Sequence, residues 1–209
     1  KKRERKQFVT LDFNPDKFHY TRQRKFTHTF VKEFNVKLGA SGWFNDYMII
    51  PIEDSAKGIH EFEARKVKEY ETLCDFYEVE DVPFEKLKRN FNDLCAHNKI
   101  RLNKKTYQVM IDMEVMNPQD ERIKYLLKPK TLYAPDSRCQ ETLWNIDNLN
   151  REESLYVVEG LGSVSPVWQD ISKNVTAIFG VSITDAQVKY LNQFKTIIHI
   201  PDYDEAGYK

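Results

Sequence analysis

The last third of the chain has the clearest alternation of apolar and polar segments. Three short apolar runs, at 154–160, 175–180 and 196–204, are separated by two stretches with helical spacing, and Thr184 is a suitable N-cap for the second stretch. Strands and helices that alternate at such short intervals predict βαβ units and a parallel, largely buried sheet with right-handed crossovers. His199 lies inside the third run, so we expect it to be a core histidine.

The first two thirds of the chain have weaker patterns. These predict, in chain order, a helix at 27–35, a strand at 47–52, a hairpin turn at 54–58, a return strand at 59–67, an amphipathic helix at 83–99 and a strand at 106–116. Pro51 predicts an edge position or a bulge for the strand that contains it. The polar stretch 147–153 precedes the change of pattern. We therefore expect an α+β N-terminal subdomain over 1–150 and an α/β domain with a mainly parallel sheet over 151–209.

Composition excludes several classes of protein. None of the apolar runs in the 209 residues approaches the roughly 20 residues that a transmembrane helix needs. With 13 Phe, 11 Tyr and 3 Trp, the chain is too aromatic to be mainly disordered. The basic N-terminus has no apolar segment behind it, so we expect no signal peptide and a cytoplasmic protein without a membrane partner. The three cysteines lack zinc-ligand spacing, so we expect no zinc site.

Charge is unevenly distributed along the chain although the formal net charge is zero. Residues 1–37 carry 11 Lys and Arg against 4 Asp and Glu, whereas residues 151–209 carry 5 against 8. A basic patch can bind phosphates, and a cluster of carboxylates can bind metal ions. We therefore interpret the first segment as a phosphate-binding part and the last as a metal-binding part. A solvated tail is the alternative for the first six residues.

Three carboxylates follow two of the apolar runs. Glu159 ends the first run, and Asp202 and Asp204 end the third. If these strands are neighbours in a parallel sheet, the three side chains converge at its carboxyl edge, where open α/β sheets gather functional groups. Carboxylates that close repel one another unless a divalent cation neutralises them, and Mg²⁺ suits such ligands. The combination predicts a metal site, although each motif alone is also typical of a turn or a surface position.

Three motifs resemble the Toprim domain, which topoisomerases, bacterial-type primases and some nucleases share. They are VVEG at 157–160, FGVSITDAQVKYL at 179–191 and DYDEAGYK at 202–209. Their order and spacing are most similar to those of bacterial-type DNA primases, and we interpret the chain as a divergent, phage-borne member. The resemblance implies a further strand and helix after the Asp-x-Asp motif, so we expect the Toprim fold to be incomplete at its C-terminus. The zinc ribbon of the family has no counterpart in this chain.

Upstream blocks follow the order of the primase family. Tyr20 and Arg24 match its first block, although Lys25 stands where the family has Gly. A second block ends at Arg65, with Glu63 and an Ala in place of Gly-Gly. The third block is KYLLKPKT, which adds positive charge to the pattern of the family. The stretch from about 70 to 119 has no counterpart, so we interpret it as an insertion.

The resemblance implies a DNA primase core, a DNA-directed RNA polymerase that makes short RNA primers on single-stranded DNA by metal-dependent nucleotidyl transfer from NTPs. Mg²⁺ or Mn²⁺ would be held by Glu159, Asp202 and Asp204 as the catalytic residues. Nucleotide or template phosphates would be bound by a set of cations, namely Arg24, Arg65, Lys124, Lys128 and Lys130. Tyr125 could stack on a base or pack. A replicative helicase and a single-strand-binding protein are the implied partners.

Two other functions stay open. A Toprim nuclease would use the same carboxylates but would not need Arg65 and the block at 124–131. A non-catalytic nucleic-acid-binding module of a replisome would not need a cluster of mutually repelling carboxylates. Cleavage of DNA without NTPs would indicate the nuclease, and metal-independent binding without synthesis would indicate the module.

Overall fold

The chain divides into two compact units. A computed structural model describes residues 9–103, 108–112, 117–134 and 136–202. The first unit contains Lys1–Lys17, Thr21–Arg65 and Thr131–Lys209, and the second unit contains Phe18–Tyr20 and Lys66–Lys130. The polypeptide therefore enters the main part of the second unit at Lys66 and returns to the first unit at Thr131.

Helices and strands are mixed throughout the chain, as the sequence predicts. The strands formed by the described residues are β1 (Thr10–Asp12), β2 (Lys37–Gly39), β3 (Tyr47–Asp54), β4 (Ile59–Lys66), β5 (Arg101–Leu102), β6 (Val109–Met110), β7 (Thr131–Tyr133), β8 (Leu155–Val158), β9 (Val175–Ala177) and β10 (Ile197–Ile200). The α-helices are α1 (His19–Gln23), α2 (His28–Glu33), α3 (Glu69–Tyr77), α4 (Phe84–His97), α5 (Glu121–Leu127), α6 (Val164–Asp170) and α7 (Asp185–Leu191). Within the described ranges, none of these helices has the length and apolar character needed to cross a membrane.

A five-stranded sheet in the order β1-β2-β3-β4-β7 forms one layer of the first unit. The strand β3 is flanked by β2 and β4, so the edge position that Pro51 predicted is wrong. The register pairs Lys37 of β2 with Ile49 of β3. Pro51 therefore lies beyond the end of β2, where its missing N–H breaks no hydrogen bond to that strand.

The hairpin between β3 and β4 confirms the predicted turn and return strand. The side chain of Asp54 accepts the Lys57 N–H at 3.0 Å, and Gly58 adopts φ +60°, in the left-handed region that favours glycine. Along β4 the side chains alternate between the two faces, and Glu61 and Glu63 are buried at 7% and 0% exposure. Two carboxyl groups are thus buried on one face of the sheet, where each needs polar partners.

A three-stranded parallel sheet in the order β10-β8-β9 forms the second sheet of the first unit, as predicted. The helix α7 begins with a capping box in which Thr184 accepts the Gln187 N–H and the Gln187 side chain accepts the Thr184 N–H. The hydrophobic core beside this sheet combines residues of the strands with residues before and after them: Leu143, Ile146, Leu149, Leu155, Val157, Ile178, Leu191 and Phe194.

The edge strand β10 is less buried than the sequence predicts. Ile197 is 43% exposed, Ile198 is 38% exposed, and His199 is exposed too. The expectation that His199 is a core histidine is therefore wrong. The physical reason is the strand order, because β10 has β8 on one side and no described strand on the other.

The second unit is mainly helical. The helices α3, α4 and α5 enclose a small core of Leu73, Leu87, Phe91 and Leu126. The amphipathic helix predicted at 83–99 is observed as α4, directly after Pro83. The strand predicted at 106–116 lies partly outside the described residues, and its described part contains β6, which pairs with β5 in antiparallel orientation.

Candidate active site at the carboxyl edge of the parallel sheet

Glu159 and Asp202 lie side by side at the carboxyl edge of the parallel sheet. The register pairs Val158 of β8 with Ile200 of β10, so the residues that follow both strands leave the sheet together. Glu159 is 8% exposed, and its Oε1 accepts the Asp202 N–H at 3.3 Å. The two strands are neighbours, as expected, and they bring these two predicted site residues together. Asp204 lies outside the described residues.

The loop after β9 supports Glu159 through the backbone. The Gly180 N–H donates to the Glu159 carbonyl at 2.9 Å. Before it, the buried Phe179 adopts φ +61°, and its carbonyl accepts Nε2 of Gln140 at 3.1 Å. A bulky residue rarely occupies the left-handed region, and such outliers persist where surrounding contacts enforce them. The β9 loop is therefore held in a strained conformation next to Glu159.

Ser163 links Asp202 to Arg24. The Ser163 hydroxyl donates to Oδ1 of Asp202 at 3.0 Å and accepts Nη1 of Arg24 at 3.4 Å. Arg24 thus reaches the same edge as the two carboxylates, although 139 residues separate it from Ser163. The sequence does not indicate Ser163 as a site residue, because a serine in a Gly-Ser turn follows no pattern that is typical of a site.

The turn after Arg24 contains one departure from the primase pattern. Lys25, which stands where that family has Gly, adopts φ +51°, in the region that favours glycine. Its carbonyl accepts the Ser165 hydroxyl at 2.7 Å, and its ammonium contacts the Asp170 carboxylate. Contacts with α6 therefore hold this lysine in a conformation that a glycine would adopt at less cost.

Arg65 also comes to the carboxyl edge. Its Nη2 lies 3.8 Å from the position that a Cβ on Gly160 would occupy, one residue after Glu159. Its Nε donates to Oε1 of Glu63 at 2.9 Å, and the Tyr133 hydroxyl donates to Oε2 of the same carboxyl at 3.2 Å. Burial raises the pKa of the Tyr133 hydroxyl, and the charge of Glu63 raises it further, so this hydroxyl stays a donor.

The remaining predicted site residues lie in the second unit. Nζ of Lys124 donates to Oε1 of Gln119 at 2.9 Å and to Oε1 of Glu121 at 2.8 Å. Tyr125 is 7% exposed, and its hydroxyl accepts the Lys68 N–H at 2.9 Å. Of the two roles considered for Tyr125, packing describes these surroundings, whereas stacking on a base stays a prediction.

The loop that carries Lys128 and Lys130 is fixed by a buried lysine. Nζ of Lys66 donates to the carbonyls of Leu126 and Lys128 at 2.9 Å and 3.1 Å. The backbone N–H of Lys66 donates to the Lys130 carbonyl at 2.9 Å. Burial lowers the pKa of Lys66, although the nearby Glu69 opposes the shift. The backbone of the loop is therefore well defined.

The donor set at the edge suits a hard divalent cation. Glu159 and Asp202 offer carboxylate oxygens, which Mg²⁺ prefers. Among the described residues, the buried carboxyl of Glu159 accepts one long hydrogen bond, from the Asp202 N–H. In the described parts of the chain, no group of three or more His, Cys, Asp or Glu residues is arranged to hold a metal ion. The third predicted ligand, Asp204, lies beyond those parts. The two described carboxylates therefore fit the predicted metal as members of a larger set.

Comparisons with known proteins agree with this geometry. A Toprim-like family (Toprim_2) matches residues 156–209. The DNA primase of Enterococcus faecalis (strain ATCC 700802 / V583) is 33% identical over 95 residues, which cover 43% of this chain and 15% of that protein. The chain thus spans a small part of the length of this relative.

A solved structure of the DnaG catalytic core has a similar fold. The similarity has a TM-score of 0.51 at 15% sequence identity and covers 93% of this chain and 56% of that one. At this identity the likeness is one of fold. Together, the comparisons show that residues 156–209 are similar to a Toprim-like family, and that the chain is similar to a DNA primase over part of its sequence and to the DnaG catalytic core in its fold.

Proposed function

We propose that this chain is the catalytic core of a DNA primase of bacterial or phage type, which synthesises short RNA primers on single-stranded DNA. The observation that carries the proposal is the adjacent pair Glu159 and Asp202 at the carboxyl edge of a Toprim-like sheet. Two arginines from distant parts of the chain, Arg24 and Arg65, reach the same edge. The sequence similarity to a DNA primase supports the same function.

In the proposed reaction, a 3′-hydroxyl attacks the α-phosphate of an NTP and pyrophosphate leaves. Glu159 and Asp202, with Asp204, would hold Mg²⁺ or Mn²⁺, which stabilises the attacking and leaving oxygens when bound. Arg65 and Arg24 would orient phosphate groups, because the planar guanidinium can donate two parallel hydrogen bonds to them. The chain contributes mainly position and charge to such a transfer.

The rest of the chain would serve the template and the replication machinery. Under this proposal, residues 1–150 bind the template and residues 151–209 bind the metal. Lys124, Lys128 and Lys130 would contact phosphates of the template or the nucleotide, and the insertion at about 70–119 belongs to the first of these parts. A replicative helicase and a single-strand-binding protein would be the partners.

Primer synthesis by the full-length protein tests the proposal. The assay uses a mixed-sequence single-stranded DNA template, labelled NTPs and Mg²⁺ or Mn²⁺, and compares the wild type with Glu159→Gln and Asp202→Asn. We expect short RNA products from the wild type and none above background from either variant. Binding of single-stranded DNA without synthesis would favour a non-catalytic module. Metal-dependent shortening of the template without NTPs would favour a Toprim nuclease.

A further inference from the structure

The carboxyl group of Glu63 is completely buried on β4, and each of its two oxygens accepts a hydrogen bond. The register places Tyr133 of β7 directly opposite Glu63, and the Tyr133 hydroxyl donates to Oε2. Nε of Arg65 donates to Oε1. A buried carboxyl group is costly unless it is paired and hydrogen-bonded, so each of its oxygens has a partner of defined geometry.

The hydrogen bond at Nε of Arg65 fixes the orientation of the guanidinium group as well as its distance from Glu63. The guanidinium group is planar, so a hydrogen bond at Nε restrains the plane and therefore the directions of both Nη groups. The Arg65 side chain is 13% exposed, and its Nη2 end is the part that reaches Gly160, next to Glu159. Arg65 thus contacts the buried carboxyl group of Glu63 through Nε, while its Nη2 lies at the edge of the parallel sheet that carries Glu159.

We propose that Glu63 is a positioning residue that fixes the Arg65 guanidinium for a phosphate group bound at the Glu159 edge, and that Tyr133 orients Glu63 for this task. The inference rests on the proposed function, because it assumes that a phosphate binds at that edge. The phosphate belongs either to the incoming nucleotide or to the template, and the chemistry of recognition is the same for both.

A neighbouring acid on the same strand provides a matched control. Glu61 lies two residues before Glu63, is buried at 7% exposure, and accepts the Ser137 hydroxyl at 2.6 Å and the Arg138 N–H at 2.9 Å. Glu61 therefore shares the strand, the face and the burial of Glu63. It differs in that its described hydrogen bonds hold a loop rather than a cation at the site.

The experiment separates positioning from simple support of the fold. Full-length wild type, Glu63→Gln, Glu61→Gln, Tyr133→Phe, Arg65→Ala and the double variant Glu63→Gln with Arg65→Ala are compared. Two measurements are made on each: kcat and KM for NTP and for template in primer synthesis, and equilibrium binding of Mg-ATP and of a single-stranded DNA oligonucleotide by calorimetry. Circular dichroism identifies the variants that are folded.

We expect Glu63→Gln to weaken phosphate binding about tenfold, because a neutral amide accepts the Arg65 hydrogen bond less strongly than a carboxylate and therefore restrains the guanidinium less. The loss appears in KM with kcat close to that of the wild type, since it affects binding rather than the chemical step. Whichever of ATP or DNA binds more weakly identifies the source of the phosphate. Glu61→Gln leaves both affinities unchanged, and Glu63→Gln has no further effect once Arg65 is Ala.

Unchanged affinity of folded Glu63→Gln for both ATP and DNA would overturn the inference. So would an equal loss in the Arg65→Ala background, because Glu63 would then act independently of that arginine. If Glu63→Gln does not fold, Tyr133→Phe decides: weaker phosphate binding supports the positioning role, and unchanged binding overturns it. If the wild type makes no primer, the proposed function is wrong, while the calorimetry still decides the role of Glu63.

Discussion

Glu63 on β4 and Glu159 at the carboxyl edge of the parallel sheet are both buried but differ in their partners. Glu63 accepts hydrogen bonds from a guanidinium and a hydroxyl, one at each oxygen. At Glu159, the described residues provide its carboxyl with one long hydrogen bond, from the N–H of Asp202. Donors at both oxygens offset the cost of burying a carboxyl, whereas a single long hydrogen bond offsets less of that cost. Such costs are typical of functional sites.

A third buried acid belongs with those of β4. Asp54 is completely buried at the end of β3 and accepts the hydroxyls of Thr142 and Tyr190 at 2.7 Å and 2.6 Å. It also accepts the Lys57 N–H. We call Asp54, Glu61 and Glu63 the partnered acids, and Glu159 and Asp202 the edge acids. The contrast between the two groups can be tested by substitutions that remove one charge at a time.

Neutralising an edge acid should have the largest effect on activity. For Glu159→Gln we expect primer synthesis to fall by about a hundredfold or more, because removal of one charged group from such a site has that order of effect. Its free energy of unfolding should be equal to or higher than that of the wild type, since the change removes a buried charge to which the described residues donate one long hydrogen bond. Synthesis assays and urea unfolding of the same preparation measure both. Retained synthesis would remove Glu159 from the site.

Neutralising a partnered acid should lower the free energy of unfolding, in contrast to neutralising an edge acid. For Glu63→Gln we expect a loss of about 3 kcal/mol in the free energy of unfolding, because the change removes the negative charge from the buried pair that Glu63 forms with Arg65. Urea unfolding, with Glu159→Gln as the reference variant, measures the difference. If Glu63→Gln were as stable as the wild type, the buried pair would contribute nothing to stability. That result would contradict the contrast between the partnered acids and the edge acids.

Metal binding should stabilise the wild type through the edge acids. At a Mg²⁺ concentration of about ten times Kd, the free energy of unfolding should rise by about 1.4 kcal/mol, because the ion binds the folded state. Thermal unfolding with and without Mg²⁺ detects the shift. It should disappear in Glu159→Gln and persist in Glu61→Gln. An equal shift in both variants would place the ion elsewhere.

The smallest effect concerns pH. Burial raises the pKa of Asp54, but hydrogen bonds from Tyr190, Thr142 and the Lys57 N–H outweigh it and hold this pKa below the ordinary 3.8. Because the folded pKa is lower than the unfolded one, the stabilisation is present above pH 3.8 and is lost as pH falls through the folded value.

The test for Asp54 compares the wild type with Asp54→Asn. We expect the variant to lose about 1 kcal/mol in the free energy of unfolding at neutral pH, since the hydrogen bonds to a charged acceptor become weaker. The difference should shrink below pH 3.8 as the wild-type carboxyl is protonated. Urea unfolding at both pH values measures it, and a constant difference would contradict the assigned pKa.

Local signals in the sequence determined the secondary structure of the C-terminal part and the approximate place of the edge acids. The apolar runs became β8, β9 and β10, and Thr184 capped α7. Glu159 and Asp202 could be located because an acid directly after a strand must lie at its carboxyl end. These features depend on residues close together in the chain, whose periodicity and capping chemistry can be read directly.

Only the tertiary structure decided which surfaces are covered and which side chains meet. The exposure of His199 and the interior position of the strand with Pro51 follow from strand order, which no local pattern specifies. Glu63 and Tyr133 are 70 residues apart and meet through the register of β4 and β7. From the sequence, Glu63 was a departure from a family pattern. Its burial and its bond to Arg65 became visible in the folded chain, because pairing between distant strands determines the partners of a buried charge.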